Sequence, residues 1–357
     1  MFQPGELVKG KYNSYRIGTI LGQGNFTAFY RGTIVPGTTE VFIKEYTDPT
    51  PLLKAEWEAF LKHQQEVLSR LRSLAYEGFE QCLDDFVFKN RYFQVKGLIK
   101  GSPLDSRLGG LSSLKEALVL LAGAARCLAV LHRIGMVHND LKPAQFMLLD
   151  GHPVETGLRL TDFDFSLIWK EKIRPYKQAT TPFYFAPEAL AGLGSITPAA
   201  DIFCLGLILF ELFFPDKSPF AAAAEEYPRA LHAMRAPQGL AGGRFPDPEA
   251  LAQVYLAMLD MDPEKRPDAP TVFAAAVKLG GLALELPPQA TATHFPKQKF
   301  CAHCGKPVPF TVDVKFCKSC GKPLATFTDR EGCKTCGEPL EPEWAFCKRC
   351  GAKAGMK

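Results

Sequence analysis

The chain has 357 residues, of which 46% are hydrophobic and 22% charged, with a formal net charge of +4. That composition excludes a disordered polymer, allows a large core and more than one domain, and gives no case for nucleic-acid binding. No apolar run approaches the roughly 20 residues that span a bilayer, and Met1 to Glu6 lacks the basic and apolar regions of a secretory leader. A cytoplasmic chain away from membranes is the expectation.

In chain order, residues 1–14 carry little pattern and read as an N-terminal arm. From Tyr15 to Gly32, β-rich segments flank Gly22 and Gly24, with Phe26 at the tip of the hairpin. Glycine there lets a backbone approach phosphate closely. Val41-Phe42-Ile43-Lys44 reads as a strand, and the stretch from about Leu52 to Leu74 has helical spacing, with Glu56, Glu58, Gln64 and Glu66 along it. Tyr92 to Val95 is another strand, leading into Lys96-Gly97-Leu98-Ile99. Leu111 to Ile134 is a long, alanine-rich apolar helix, and Ile202 to Phe214 is a second. The interruptions at Arg126, Gly206 and Glu211 suit burial in a protein core.

Between those helices lies the stretch that organises the chain. It contains Val137-His138-Asn139-Asp140-Leu141-Lys142, then Leu160-Thr161-Asp162-Phe163-Asp164, then Ala186-Pro187-Glu188. Two aspartates stand 22 positions apart, one on a loop after a helix and one after an apolar strand. That pair suits phosphoryl transfer, in which one carboxylate meets an attacking hydroxyl and another holds the metal on the nucleotide phosphates. These motifs resemble the eukaryotic-type (Hanks-like) bacterial serine/threonine protein kinase family, from about Tyr15 to Leu282. Asp201 to Gly206 and Arg266 follow in the family's order.

The resemblance implies an α+β, bilobal fold, with a small lobe to about residue 97 and a large lobe to 282. It implies ATP with Mg2+ or Mn2+ in the cleft, bound by Gly22, Gly24, Phe26, Lys44, Gly97 and Ile99. Asp140 would be the base, Lys142 the lysine that steadies the γ-phosphate, and Asp162 the principal metal ligand. The helix partner of Lys44 aligns with Gln64; Glu66, about 200° around the helix, is the alternative. Arg266 is expected to pair with Glu188, Asp201 to anchor the catalytic loop, and Thr181 to contact Asp140.

Several positions depart from the family pattern. Phe42 replaces a small residue beside the adenine site, and Lys96 stands at a position that is usually apolar. Gln145 replaces a metal-binding asparagine, keeping a carbonyl ligand on a longer arm. Asp164 replaces a glycine and could be an extra metal ligand or a salt-bridge partner. Asn139 replaces the arginine that pairs with a phosphorylated loop, which suggests activity without loop phosphorylation. Thr180, Tyr176 and Ser166 are modification candidates without specific support.

Residues 283–299 read as a linker. Beyond it, eight of the eleven cysteines form four pairs: Cys301 with Cys304, Cys317 with Cys320, Cys333 with Cys336, and Cys347 with Cys350, each pair followed by glycine. In a chain read as cytoplasmic, such pairs indicate metal binding over disulfides. Residues 300–357 resemble a double zinc ribbon with two structural four-thiolate Zn2+ sites, one from the first four of these cysteines and one from the last four. From Lys297 to Lys357, ten Lys and two Arg face six acidic residues. Eight thiolates with two Zn2+ would offset most of that surplus, so protein docking is favoured over nucleic acid.

The expected function is a serine/threonine kinase acting on a protein substrate. A pseudokinase scaffold is the alternative, resting on Phe42, Lys96, Gln145, Asp164 and the glutamine aligned with the helix glutamate. The domain order resembles bacterial regulatory kinases that work beside a phosphatase and a von Willebrand A-type partner.

Overall fold

The computed structural model describes residues 2–287 except 25–26, 48–53, 73, 75, 170, 172, 174, 176–180 and 247, and beyond those only residues 299–300 and 307–308. The small lobe is a six-stranded antiparallel sheet of β1 (Leu7–Lys9), β2 (Ser14–Gln23), β3 (Thr27–Val35), β4 (Glu40–Thr47), β5 (Cys82–Phe88) and β6 (Arg91–Gly97). Their order in the sheet is β1-β2-β3-β4-β6-β5. Helix α1 (Lys54–Arg72) accompanies the sheet, burying His63, Gln64, Val67, Leu68 and Leu71 at helical spacing.

The segment expected as an arm is part of this lobe. Val8 pairs opposite Tyr15, and Phe2 is buried edge-on to Phe93 with ring centroids 5.4 Å apart. A strand of three residues is too short for an alternating pattern to register in the sequence, and its pairing became visible only through β2.

Residues 98–100 cross to the large lobe. There β7 (Gly101–Pro103) pairs with β9 (Phe146–Leu149), which pairs with β10 (Leu158–Leu160). A second small sheet joins β8 (Met136–Val137) to β11 (Leu167–Ile168). The helices are α2 (Leu114–Arg133), the short α3 (Val154–Gly157), α4 (Pro198–Phe213), α5 (Tyr227–His232), α6 (Glu249–Met258) and α7 (Ala269–Gly280). Helix α2 starts three residues later than its apolar pattern begins. Ser113 caps it by accepting from the Glu116 N–H, while the Glu116 carboxylate accepts from the Ser112 N–H. Two otherwise orphaned donors are thereby satisfied.

Helix α4 is buried almost all round, so Asp201 in its first turn has to find polar partners inside the protein. Among the described residues, no helix is long and apolar enough to cross a membrane. The start of the expected linker is packed down: Leu284 and Leu286 lie against the large-lobe core, and Arg133 Nη1 donates to the Pro287 carbonyl at 3.1 Å. In the C-terminal region, β12 (Lys299–Phe300) pairs antiparallel with β13 (Pro307–Val308). The eight expected zinc ligands, Cys301, Cys304, Cys317, Cys320, Cys333, Cys336, Cys347 and Cys350, lie outside the described residues.

The expected ion pair of the large lobe is present and bidentate. Arg266 Nη1 and Nη2 donate to the two Glu188 oxygens at 2.7 and 2.9 Å. The guanidinium also donates to the Asp260 and Ala199 carbonyls and lies over the Phe203 ring. With the Arg266 side chain 0% exposed, removing it leaves a buried carboxylate uncompensated. Arg266→Ala should lower unfolding stability by roughly 3–5 kcal/mol in a denaturant titration followed by circular dichroism.

Candidate active site

Strand alternation places Phe42, Lys44 and Tyr46 on one face of β4, opposite Val41 and Ile43 in the small-lobe core. Lys44 Nζ reaches Asp162 Oδ1 at 2.9 Å and Asp164 Oδ2 at 2.6 Å. Burial opposes the charge of Lys44, but the Asp162 and Asp164 carboxylates outweigh it and raise its pKa above the ordinary lysine value. For Asp162, burial works upward, yet the Lys44 and Lys96 ammonium groups hold its carboxyl below the usual carboxylate range.

Of the two roles left open for Asp164, the structure shows the salt bridge. Besides Lys44, its two oxygens face the Tyr46 hydroxyl at 2.7 and 2.8 Å. The carboxylate is thus occupied by the Lys44 ammonium and the Tyr46 hydroxyl. The expected helix partner is likewise corrected. Gln64 points to the site, but its Nε2 donates to the Asp164 backbone carbonyl at 2.8 Å, and its Oε1 accepts from Gln94 Nε2 at 2.9 Å. Glu66 lies 3.7 Å from Arg70 on its own helix. Next to Gln64, His63 Nε2 meets the Ser166 carbonyl at 2.6 Å, and burial lowers its pKa, favouring the neutral ring.

The catalytic loop hangs on Asp201, which accepts from the His138 N–H at 2.8 Å and the Asn139 N–H at 2.9 Å. Asn139 takes positive φ there (67°), and its side chain donates to the Phe165 carbonyl. That bond ties the catalytic loop to the segment carrying Asp162 where the family has a charged arginine. Phe163 is buried between His138 and Phe79, with ring centroids 5.1 and 5.3 Å away.

Asp140 meets Lys142 Nζ at 3.0 Å through Oδ2 and accepts from the Thr181 hydroxyl at 2.5 Å through Oδ1. The Gln145 amide lies between the two proposed carboxylates, with Nε2 3.4 Å from Asp140 Oδ2 and 3.4 Å from Asp162 Oδ2. Half a turn of that amide would present its carbonyl oxygen instead. The donor set then becomes all oxygen, which fits Mg2+ or Mn2+ at Asp162 and Gln145.

At the nucleotide end, the Gly24 N–H closes a turn onto the Thr27 carbonyl at 2.8 Å, and Gly22 pairs opposite Phe29. Phe26 lies outside the described residues, as do Tyr176 and Thr180. The Phe42 ring stacks on Phe29 with centroids 5.9 Å apart. Gly97, expected to offer its backbone to adenine, donates its N–H to the Gln81 carbonyl at 3.0 Å. A Cβ at Gly97 would meet nothing within 4 Å, so its outer side is open. Ile99 is half-buried on the crossing between lobes.

One member of the site, Glu80, was missed in the sequence. Lys96, 3% exposed, pairs with Glu80 Oε1 at 2.7 Å, and that same oxygen accepts the Asp162 N–H at 2.9 Å. Burial works against the Lys96 charge, and Glu80 overcomes it, raising the lysine's pKa. Asp162 sits at φ 63°, an uncommon conformation for a non-glycine residue, and Glu80 holds its N–H there. Glu80 stands in an irregular segment without periodicity, so the only signal available was the misfit lysine at position 96, which demands a buried anion.

A two-lobed fold with a lysine on the small-lobe sheet, an aspartate on a helix-anchored loop and a second aspartate after a large-lobe strand defines a kinase-type phosphotransferase architecture. Residues 15–276 match the protein kinase domain model, and residues 301–351 match the double zinc ribbon model, a span that contains every one of the eight paired cysteines from Cys301 to Cys350. The chain belongs to the protein kinase family. It is similar to CBL-interacting serine/threonine-protein kinase 19 of Arabidopsis thaliana, at 28% identity over 75% of this chain and 53% of that one. It is also similar to the Arabidopsis thaliana serine/threonine-protein kinase AtPK1/AtPK6, at 25% identity over 73% of this chain and 54% of the other. The chain thus spans about half the length of the curated relatives it matches. Among solved structures, the kinase domain of Mycobacterium tuberculosis PknI superposes with a TM-score of 0.58 at 21% identity, covering 79% of this chain and 100% of that domain. That likeness concerns the fold.

Proposed function

We propose that the chain is a serine/threonine protein kinase that transfers the γ-phosphoryl group of ATP to a protein hydroxyl. The observation that carries this reading is Asp140 held by Lys142 and Thr181, with Asp162 reached through the same Gln145 amide and gripped by Lys44. In the reaction, the bond from the substrate oxygen to phosphorus forms as the bond from phosphorus to the bridging oxygen of ADP breaks. Asp140 orients the attacking hydroxyl and takes its proton. Lys142, beside that carboxylate, meets the negative charge of the transferring group, and Lys44 grips the phosphates from the sheet side. A divalent cation bound by Asp162 and Gln145 would neutralise phosphate charge and align the leaving group.

A second reading, a scaffold without turnover, is favoured by one observation: Lys44 is already neutralised by two carboxylates. Phosphate incorporation from labelled ATP with Mg2+ or Mn2+ separates the two. Wild type should exceed Asp140→Ala and Asp162→Ala by at least about a hundredfold, the order expected for losing positioned acid-base and charge stabilisation. Equal incorporation in all three proteins would leave the scaffold reading standing.

The proposed setting is cytoplasmic. For the tail, the proposal is two structural Zn2+, one held by Cys301, Cys304, Cys317 and Cys320 and the other by Cys333, Cys336, Cys347 and Cys350, forming a module that docks a partner protein. A phosphatase and a von Willebrand A-type protein as companions rest on analogy of domain order alone. Elemental analysis of freshly purified, reduced protein should find two zinc ions per chain, and metal-free protein would contradict the ribbon.

A further inference from the structure

In the family, a glutamate on the helix beside the sheet holds the lysine of the nucleotide site; here that alignment falls on Gln64, which has no charge. We infer that Asp164 is the positioning residue for Lys44, so that the lysine is held by the segment that carries Asp162 and no longer by helix α1. The inference rests on the phosphotransferase reading above.

Three features support it. The Lys44–Asp164 contact is the shorter of the two made by Lys44, 2.6 against 2.9 Å. It is also the drier, since the Asp164 side chain is 12% exposed and that of Asp162 is 35% exposed. An ion pair is screened least where water is excluded. Next, Asp164 is itself held at both ends, its carboxylate by the Tyr46 hydroxyl and its backbone carbonyl by Gln64 Nε2. Tyr46 is two residues from Lys44 on the same face of β4, so lysine and hydroxyl grip the carboxylate from one rigid strand. Finally, α1 touches residues 164–166 through neutral groups, Gln64 to the Asp164 carbonyl and His63 to the Ser166 carbonyl, and its charged contact, Arg70 with Glu171, lies further along the segment and away from Lys44. Its Glu66 is directed to Arg70.

The arrangement separates two jobs that the helix glutamate normally combines. An ammonium has three donors. Lys44 can therefore exchange Asp162 for a phosphate oxygen while retaining Asp164, which leaves Asp162 available to its own ligand. Because Asp164 lies two residues from Asp162, the lysine's anchor and the proposed metal aspartate belong to one segment. Formation of the lysine salt bridge then does not wait on an inward swing of α1. That agrees with Asn139, which links the same segment to the catalytic loop by an uncharged bond in place of an arginine awaiting a phosphate.

The test uses full-length protein with Asp164→Asn, Asp164→Gly, Gln64→Glu and the double variant that combines Asp164→Gly with Gln64→Glu. Steady-state kcat and KM for ATP are measured, and ATP affinity is measured separately by calorimetry. Asp164→Asn and Asp164→Gly should each lose about tenfold or more in kcat/KM for ATP and bind ATP more weakly. Adding Gln64→Glu to Asp164→Gly should restore most of that loss by returning a carboxylate to α1. Unchanged kinetics and affinity in both Asp164 variants would overturn the inference. So would a loss that Gln64→Glu leaves untouched, because a purely structural role has no reason to be rescued from the helix. Thermal midpoints identify any variant that fails to fold, and the conservative Asp164→Asn keeps the test open if the glycine variant does. If wild type incorporates no more phosphate than Asp140→Ala, the phosphotransferase reading has failed; the calorimetric comparison still decides whether Asp164 holds Lys44 for nucleotide.

Discussion

One ammonium between two carboxylates, at the junction of the lobes, is the interaction on which the rest of the site depends. Lys44 comes from the small-lobe sheet, while Asp162 and Asp164 come from the large-lobe segment after β10. A charge in so dry a place survives only with counter-charge and hydrogen bonds around it. The protein supplies them in layers. Tyr46 and Gln64 fix Asp164, and Glu80 fixes the Asp162 backbone while neutralising Lys96. Two cations, Lys44 and Lys96, face three carboxylates, Glu80, Asp162 and Asp164. The surplus is negative, and a divalent cation arriving with a nucleotide would meet it.

The large lobe provides the rigid frame for the other half of the chemistry. Asp201 sits at the start of a helix with scarcely any exposed surface, and its carboxylate spends its acceptors on the His138 and Asn139 N–H groups and the His132 ring. The loop carrying Asp140 is thereby fixed to the core of the lobe. Phe163 packs between His138 and Phe79, so the segment with Asp162 is registered against the same loop by aromatic contact. Further out, Arg266 and Glu188 hold the end of the activation segment to the region that follows α6. Thr181, at the near end of the part described, reaches Asp140 directly.

Much of this was legible because the relevant residues lie in motifs with fixed local spacing. Asp140 and Lys142 share a loop, Asp162 follows an apolar strand, and Asp201 opens a helix, so sequence order conveys their placement. The pairs Arg266 with Glu188 and Thr181 with Asp140 followed from the family resemblance. What the sequence withheld were choices made by tertiary contact. Helical spacing could put Gln64 toward the cleft and Glu66 away from it, but it could not show that the anion for Lys44 comes from Asp164, 120 residues away. The bond from the Gly97 N–H to the Gln81 carbonyl is a tertiary contact of the same kind. The first fourteen residues looked patternless because β1 is only three residues long and derives its order from β2.

The central claim is that the charge cluster around Lys44 is a seat for nucleotide phosphates. Calorimetric titration of ATP with Mg2+ into wild type and Lys44→Met tests it most directly, since it asks about binding without requiring a protein substrate. The account predicts saturable binding by wild type and at least about tenfold weaker binding by the variant, a difference of roughly 1.4 kcal/mol. Equal affinity in the two proteins would contradict it.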